Sequence, residues 1–170
     1  TIKKAMILGA GFGKRMLPLT TKIPKPLIKI GPKNLLERTI ELLIKIGIDE
    51  IIINTHHLSK EIDNFLENKN YKISISAINE EVLLDTGGGI LNATKNIKDN
   101  PFFVLNPDTI WNKNYYEELK ILENSYLKNN KSIKMTFIVI GMLNHNKLMG
   151  EGGLKHTISK VFLSSEAATN

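Results

Sequence analysis

The amino-acid sequence predicts an α/β protein, a three-layer sandwich with a mostly parallel sheet. Short apolar runs typical of buried strands alternate along the chain with segments whose apolar residues recur at helical spacing. Strands and helices that alternate in this way form βαβ units, and their helices cover both faces of a parallel sheet. The length of 170 residues, with 42% hydrophobic and 24% charged residues, suits one globular domain with a substantial core.

The individual elements follow from local patterns. The first strand is predicted at residues 3–8 and the first helix at 34–47, where Asn34 and Glu37 fit a capping box and Gly47 ends the helix. Later strands are predicted at residues 51–53, 71–77, 102–105 and 132–140. Later helices are predicted at residues 59–66, 87–97 and 114–129.

The pattern weakens after Ile140. The remaining segment has four glycines, few regularly spaced apolar residues and a polar end. We therefore expect one domain at residues 1–140 and a divergent, partly disordered tail at 141–170. One further short strand is predicted at 158–163.

Composition excludes several classes of function. The net charge of +6 comes from scattered lysines without a dense basic block, which favours a solvated basic surface over a nucleic-acid groove. The absence of cysteine excludes disulfides and thiolate chemistry. No apolar run approaches the length of a membrane span and no signal pattern opens the chain, so we expect a cytoplasmic protein that binds no membrane.

The stretch LGAGFGKRMLPLTTKIPKPL, which follows the first strand, fits neither common nucleotide motif. The dinucleotide fingerprint G-x-G-x-x-G must run into a helix, but here the third glycine comes one residue early. Pro18, Pro24 and Pro26 also prevent a helix across the segment. The P-loop requires glycine where Leu8 stands, and serine or threonine where Arg15 stands. These mismatches exclude a dehydrogenase and a P-loop enzyme.

The same stretch makes physical sense as an extended phosphate clamp. Gly9, Gly11 and Gly13 let the backbone pass close to a ligand and point N–H groups at anionic oxygens. Arg15 offers a planar fork suited to phosphate, and the stiff proline-rich path brings Lys25 back to the same place. The alternative from these residues alone is a proline-rich surface loop with incidental lysines.

The order of residues adds a resemblance. The pattern G-x-G-x-R-x-x-P-x-T-x-x-x-P-K is present in full as Gly11, Gly13, Arg15, Pro18, Thr20, Pro24 and Lys25. It resembles the signature loop of the sugar-1-phosphate nucleotidyltransferase family, with Gly9 where that family usually has alanine. The resemblance covers residues 3–140 and implies a Rossmann-like fold of the nucleotide-diphospho-sugar transferase type. Family members usually run further, so we expect the fold to be incomplete at the C-terminus.

A second glycine-rich stretch, LLDTGGGI, spans residues 83–90. Glycines at a helix start present bare N–H groups to an anion or a ribose, and Thr86 is placed to cap the helix. Within the family, T-G-G-G-I is most similar to the N-acetylmuramate-1-phosphate uridylyltransferase branch, with mannose-1-phosphate guanylyltransferase-like members nearby. Glu80 and Glu81 precede it and could accept an N–H group from uracil or guanine. The base therefore stays open between UTP and GTP.

A third stretch, VLNPDTIW, places Asp108 just after a predicted buried strand. The resemblance implies that Asp108 is a magnesium ligand, and Mg²⁺ suits few carboxylates together with waters and phosphate oxygens. The alternative role for such an aspartate is the N-cap of the following helix.

Two other groups of residues are interpreted as structural. His56 and His57 are adjacent, so their side chains point apart, and no partner with metal-ligand spacing exists in the sequence. We expect them to be loop histidines at a helix start. Trp111, with Tyr115 and Tyr116, is expected to pack in the core rather than stack on a base.

The resemblance implies a Mg²⁺-dependent transfer of a nucleotidyl group from a nucleoside triphosphate to a sugar 1-phosphate, which releases pyrophosphate. It implies catalytic roles for Arg15, Lys25 and Asp108, with Asp108 holding the metal. The residues implied in nucleotide binding are Gly9, Gly11, Gly13, Glu80, Thr86, Gly87, Gly88 and Gly89.

Two other functions remain open from the sequence. One is a truncated remnant that binds nucleotide without turnover, and the more remote one is a basic nucleic-acid-binding domain. An incomplete sheet would also expose an apolar edge, which association into a homo-oligomer could cover.

Overall fold

A computed structural model of the chain describes residues 1–97, 101–129, 137–139 and 159–161. Its strands are β1 Lys4–Leu8, β2 Lys29–Ile30, β3 Lys33–Asn34, β4 Glu50–Thr55, β5 Ser74–Asn79, β6 Phe102–Leu105, β7 Phe137–Val139 and β8 Ser159–Val161. Its α-helices are α1 Leu35–Ile46, α2 Ser59–Glu67, α3 Asp85–Thr94 and α4 Lys113–Asn129.

The main sheet has four parallel strands in the order β5-β4-β1-β6. The first strand, β1, lies in the middle, where Ala5 pairs with Ile51 on one side and Phe103 on the other. Two small antiparallel pairs, β2 with β3 and β7 with β8, complete the strands of the described residues. The predicted mostly parallel sheet is therefore confirmed.

Apolar residues cover both faces of this sheet. Along β1, Ala5 and Ile7 belong to the core packed against α1, α2 and α4, whereas Met6 belongs to the core packed against α3. All three side chains are fully buried. Alternate residues of one strand thus enter two separate cores, which gives the three layers that the sequence predicts.

Helix α1 begins and ends as its sequence predicts. The Asn34 side chain accepts a hydrogen bond from the Glu37 N–H at 2.7 Å, and Gly47 adopts a left-handed conformation (φ 97°) just after the helix. The Glu37 carboxylate pairs with Lys69 Nζ at 2.6 Å, so the glutamate of the predicted capping box ties α1 to the residues after α2.

Some element boundaries differ from the prediction. Strand β5 begins at Ser74 rather than Tyr71, because its pairing with β4 begins opposite Glu50 and earlier residues have no ladder partner. Tyr71 and Ile73 pack against the core from outside the strand. Helix α3 spans Asp85–Thr94 instead of 87–97.

The predictions near the C-terminus are only partly covered by the structure. Strand β7 lies inside the strand predicted at 132–140, and β8 lies inside the strand predicted at 158–163. The other residues of both predicted strands, and the rest of the predicted tail, lie outside the described residues.

No helix in the described part of the chain has both the length and the apolar character to cross a bilayer.

Tyr71 is a half-buried ionisable residue beside the sheet. Its hydroxyl is buried and has no hydrogen-bond partner among the described residues. Burial raises the pKa of Tyr71 to about 12 from the ordinary 10.0, and the carboxylates of Glu37 and Glu41 add to the increase. The folded protein therefore holds this proton more tightly than the unfolded chain does.

This pKa predicts how stability depends on alkaline pH. The unfolded chain loses the Tyr71 proton near pH 10 and the folded protein near pH 12, so the stabilisation from the neutral phenol is present below pH 10 and is lost between these values. We expect Tyr71→Phe to flatten the fall in the free energy of unfolding above pH 10. At pH 7 it should cost little, because the hydroxyl that it removes is unpartnered.

Urea unfolding from pH 7 to 11 measures this effect, with Tyr116→Phe as the control for loss of a phenol elsewhere. Parallel declines in Tyr71→Phe and wild type above pH 10 would show that Tyr71 does not cause the dependence.

Candidate active site

A cleft of about 230 Å³ opens at the carboxyl ends of the parallel strands. Ligands of open α/β sheets bind at this edge, beyond the ends of the strands. The cleft lies where β1, β4 and β6 end, between the glycine loop after β1 and the start of α3. Its lining residues are Leu8, Gly9, Ala10, Gly11, Lys25, Pro26, Asn54, Leu83, Asp85, Thr86, Asn106, Pro107 and Asp108.

The loop after β1 is coiled rather than extended. It forms three short 3₁₀ turns, Lys14–Met16, Leu19–Thr21 and Lys25–Leu27, so the clamp that was predicted to be extended is folded into turns. The Thr20 hydroxyl, which is buried, donates to the carbonyl of Gly13 at 3.0 Å and fastens the first two turns together. The third turn brings Lys25 into the cleft, as predicted.

The three loop glycines serve different purposes in this fold. Gly13 has φ 64°, and a Cβ atom there would lie 2.8 Å from Thr20 Cγ2. Gly9 lies against β4, where a Cβ atom would be 2.7 Å from the backbone oxygen of Asn54. A Cβ atom on Gly11 would meet nothing within 4 Å, although its backbone lines the cleft. The protein's own packing thus explains Gly9 and Gly13, whereas Gly11 lines the cleft with no protein atom where a side chain would lie.

Lys25 and Asp108 form an ion pair in the cleft. Lys25 Nζ lies 2.5 Å from Asp108 Oδ2, and the two side chains are 19% and 15% exposed. The second carboxylate oxygen, Asp108 Oδ1, is buried and has no hydrogen-bond partner among the described residues. Because α4 begins only at Lys113, the N-cap alternative for Asp108 is wrong. The pair places a cation and an acceptor oxygen side by side at the end of β6.

Arg15 lies apart from this pair. It is an exposed residue of the first 3₁₀ turn and does not line the cleft. No hydrogen bond from its guanidinium to another described residue is seen, so the side chain is available to bind an anion.

Asn54, which lines the cleft, and Glu80, which is buried behind it, join the two walls of the cleft. Asn54 Oδ1 accepts the Gly9 N–H at 3.0 Å, and Asn54 Nδ2 donates to Glu80 Oε1 at 2.7 Å. The other carboxylate oxygen, Glu80 Oε2, accepts the Leu84 N–H at 3.1 Å. Each side chain is only 3% exposed.

Of these two residues, Glu80 was a predicted site residue and Asn54 was not. Glu80 was predicted to contact a base, and the structure places it behind the cleft with both oxygens in hydrogen bonds to the protein. The sequence feature that could have identified Asn54 is its position directly after the buried run Ile51–Ile53. Ligands of parallel sheets bind at the carboxyl ends of such strands.

The glycine-rich start of α3 forms the opposite wall. The helix begins at Asp85 (φ 55°), the N-cap position is Leu84, and no side chain caps it, so the capping role expected for Thr86 is wrong. Thr86 lines the cleft instead. Gly87 is open, whereas a Cβ atom on Gly89 would lie 2.7 Å from both Asn54 Nδ2 and Glu80 Oε1.

The histidines and aromatic residues are structural, as predicted. His56 Nδ1 lies 2.7 Å from the carbonyl oxygen of Glu80, and His57 Nε2 lies 2.8 Å from that of Thr20. Among the described residues no group of three or more histidine, aspartate or glutamate side chains could hold a metal. Trp111 Nε1 donates to the buried Thr39 hydroxyl at 2.8 Å, and its ring packs edge-on against Tyr115.

The chain is similar in sequence to two groups of sugar-phosphate enzymes. The mannose-1-phosphate guanylyltransferase catalytic subunit beta of Dictyostelium discoideum is 39% identical over 110 residues, 63% of this chain and 31% of that protein. The N-acetylmuramate alpha-1-phosphate uridylyltransferase of Caulobacter vibrioides is 35% identical over 113 residues, 64% of this chain and 47% of that protein. The chain thus spans a third to a half of the length of these relatives.

Solved structures agree on the fold. Apo UDP-glucose pyrophosphorylase matches with a TM-score of 0.68 at 22% identity, over 85% of this chain and 66% of that one. HddC from Yersinia pseudotuberculosis complexed with GMP-PN matches with a TM-score of 0.61 at 32% identity, over 73% of this chain and 54% of that one.

The sequence profile of the family described as Nucleotidyl transferase matches residues 4–147. This range contains the sheet, the glycine loop, Lys25 and Asp108. The predicted resemblance is therefore confirmed, and the chain belongs to the nucleotidyl transferase family.

Proposed function

We propose that the protein carries out a cytoplasmic, Mg²⁺-dependent transfer of a nucleotidyl group from UTP or GTP to a sugar 1-phosphate. The products are a nucleoside diphosphate sugar and pyrophosphate. The observation that carries the proposal is the Lys25–Asp108 pair in a cleft bordered by an open glycine backbone. The relatives are named as guanylyl- and uridylyltransferases of sugar 1-phosphates, which supports the same substrate class.

The reaction needs no nucleophile from the protein. A phosphate oxygen of the sugar 1-phosphate attacks the α-phosphorus of the nucleotide and forms the new O–P bond. The bond from that phosphorus to the bridging oxygen breaks, and its electron pair leaves with pyrophosphate. Because the attacking phosphate is already an anion, the protein's task is to align the two substrates and to offset their negative charge.

The cations and the glycine loop suit that task. Lys25 lies inside the cleft, where its ammonium group can contact the α-phosphate and the incoming sugar phosphate. Arg15 is exposed on the first 3₁₀ turn of the loop, and we assign it to the triphosphate and the departing pyrophosphate. The open backbone of Gly11 lets phosphate oxygens approach the loop N–H groups closely.

The residues present fit a magnesium ion. Asp108 Oδ1 is a buried carboxylate oxygen without a partner among the described residues, and hard oxygen donors are what Mg²⁺ prefers. One carboxylate is enough when waters and phosphate oxygens supply the other positions. We assign Asp108 to hold the ion, which would supply positive charge that offsets the charge of the phosphates.

The start of α3 is assigned to the nucleoside. Thr86 lines the cleft, Gly87 is open, and Gly88 lies between them and the buried Gly89. First-turn N–H groups of a helix are suited to ribose or base oxygens. Glu80 supports this wall through the Leu84 N–H.

A second candidate is nucleotide binding without turnover. The roles assigned above to cleft residues are all in binding nucleotide, phosphate or metal, so binding and turnover can be tested separately.

Nucleotide binding tests the proposal first. With Mg²⁺ and nucleotide at a hundred times Kd, UTP or GTP should raise the melting temperature by about 5–10 °C. Lys25→Ala and Asp108→Asn should remove most of this increase, because they delete the cation and the proposed metal ligand. Lys33→Ala is the matched control, since Lys33 of β3 forms an exposed ion pair with Glu41 of α1.

Three outcomes separate the candidate functions. Pyrophosphate release with a sugar 1-phosphate supports the transferase, and nucleotide binding without release supports the second candidate. If the protein binds oligonucleotides with an affinity that Lys25→Ala does not change, and binds neither UTP nor GTP, both candidate functions are contradicted. That result would favour the nucleic-acid-binding alternative.

The loop glycines give a separate prediction. Gly13→Ala should lower the free energy of unfolding by about 1–2 kcal/mol or more, because the new Cβ atom meets Thr20 in a left-handed conformation. Gly11→Ala should leave stability within about 0.5 kcal/mol, since the Cβ atom meets open space, yet weaken nucleotide binding.

Urea unfolding and isothermal titration with the preferred nucleotide measure the two effects. Unchanged nucleotide affinity in Gly11→Ala would argue against a phosphate path along this part of the loop.

A further inference from the structure

The buried pair Asn54 and Glu80 links the two walls of the cleft directly through side chains. Gly9 belongs to the glycine loop after β1, and Leu84 precedes α3. The backbone N–H of Gly9 donates to Asn54, and that of Leu84 donates to Glu80. The hydrogen bond of 2.7 Å between Asn54 and Glu80 connects these two contacts. A continuous path of three hydrogen bonds therefore runs from one wall to the other.

Close packing fixes the pair from both sides. A Cβ atom on Gly9 would lie 2.7 Å from the Asn54 backbone oxygen, and one on Gly89 would lie 2.7 Å from each side chain of the pair. The backbone of Glu80 is also anchored, since its N–H donates to Thr55 at 2.7 Å. Neither wall can move toward the pair, and movement away from it breaks a buried hydrogen bond.

We infer that Asn54 and Glu80 are positioning residues that set the separation between the glycine loop and the start of α3. This inference rests on the proposed function, which places the phosphates on the first wall and the nucleoside on the second. Glu80 then acts on the nucleotide through the position of α3, and not by contact with the base.

The donors and acceptors of the pair can be exchanged without loss of any hydrogen bond. In Asn54→Asp/Glu80→Gln, the aspartate accepts from Gly9 N–H and from the new glutamine amide, whose oxygen accepts from Leu84 N–H. The double variant keeps one carboxylate, three hydrogen bonds and nearly the same volume.

Neither single exchange can do this. In Glu80→Gln, every orientation of the two amide groups leaves one N–H facing another N–H, at Gly9, at Leu84 or between the side chains. In Asn54→Asp, two carboxylates face each other, a conflict that a shared proton could relieve. Glu80→Gln is therefore the decisive single variant.

The experiment compares wild type, Glu80→Gln, Asn54→Asp and the double variant by two measurements. Hydrogen exchange of the Gly9 and Leu84 amides, followed by NMR without ligand, reports the hydrogen bonds themselves. Titration with the preferred nucleotide and Mg²⁺ reports their effect on the site. Asn64→Asp/Glu67→Gln makes the same two exchanges at exposed positions of α2 and serves as the control.

We expect Glu80→Gln to speed amide exchange at Gly9 or Leu84 and to weaken nucleotide binding about tenfold, the effect of one lost hydrogen bond. The double variant should restore protection at both amides and bring the affinity to within about threefold of wild type. The control should match wild type in both measurements.

Each contrary outcome has a distinct meaning. If the double variant protects both amides but binds nucleotide as weakly as Glu80→Gln, the Glu80 carboxylate itself is needed by the ligand and the inference is overturned. If Glu80→Gln changes neither measurement, the pair does not position the walls. If wild type binds no nucleotide, the proposed function fails, while amide exchange still decides whether the pair links the walls.

Discussion

The central position of β1 is the constraint on which the rest of the site depends. Because β1 pairs in parallel with both β4 and β6, its carboxyl end lies between theirs. The glycine loop therefore leaves the sheet between Asn54 at the end of β4 and Asp108 beyond β6. One pairing pattern thus places a backbone donor, a buried amide and a carboxylate around the same cleft, and the loop needs only to return Lys25 to it.

The opposite charges of Lys25 and Asp108 offset each other in the cleft. A lysine and an aspartate that are each less than one-fifth exposed would be costly alone, and their pairing offsets the loss of hydration. Under the proposed function, phosphate oxygens would replace the carboxylate as partners of Lys25, and Asp108 would be free to hold the metal ion. The positive charge of the ion would then offset part of the negative charge of the phosphates.

Local sequence signals predicted the sheet, the helices and the loop that carries Lys25. They succeed because strands, caps and glycine turns depend on neighbouring residues, as the Asn34 cap and the left-handed Gly47 illustrate. They fail where the decisive contact joins distant residues. Asn54 and Glu80 are 26 positions apart, and only the pairing of β4 with β5 brings them together.

The same limit explains the loop and Glu80. The prolines predicted a stiff path that returns Lys25 to the site, but not the short turns of the loop, which the hydrogen bond from the Thr20 hydroxyl to the Gly13 carbonyl holds together. A glutamate just after a strand was expected to face a ligand. Its burial follows from the absence of a side chain at Gly89, which lets α3 lie directly on the pair.

The central claim is that one cleft at the end of β1 binds both the triphosphate and its metal. A crystal structure of the protein with UTP or GTP and Mn²⁺, analysed by anomalous scattering, tests it most directly. The account predicts a manganese peak at Asp108, phosphate oxygens on Lys25 and the Gly11 backbone, and the nucleoside against Thr86 and Gly87. Nucleotide bound elsewhere on the protein, or manganese held without Asp108, would contradict it.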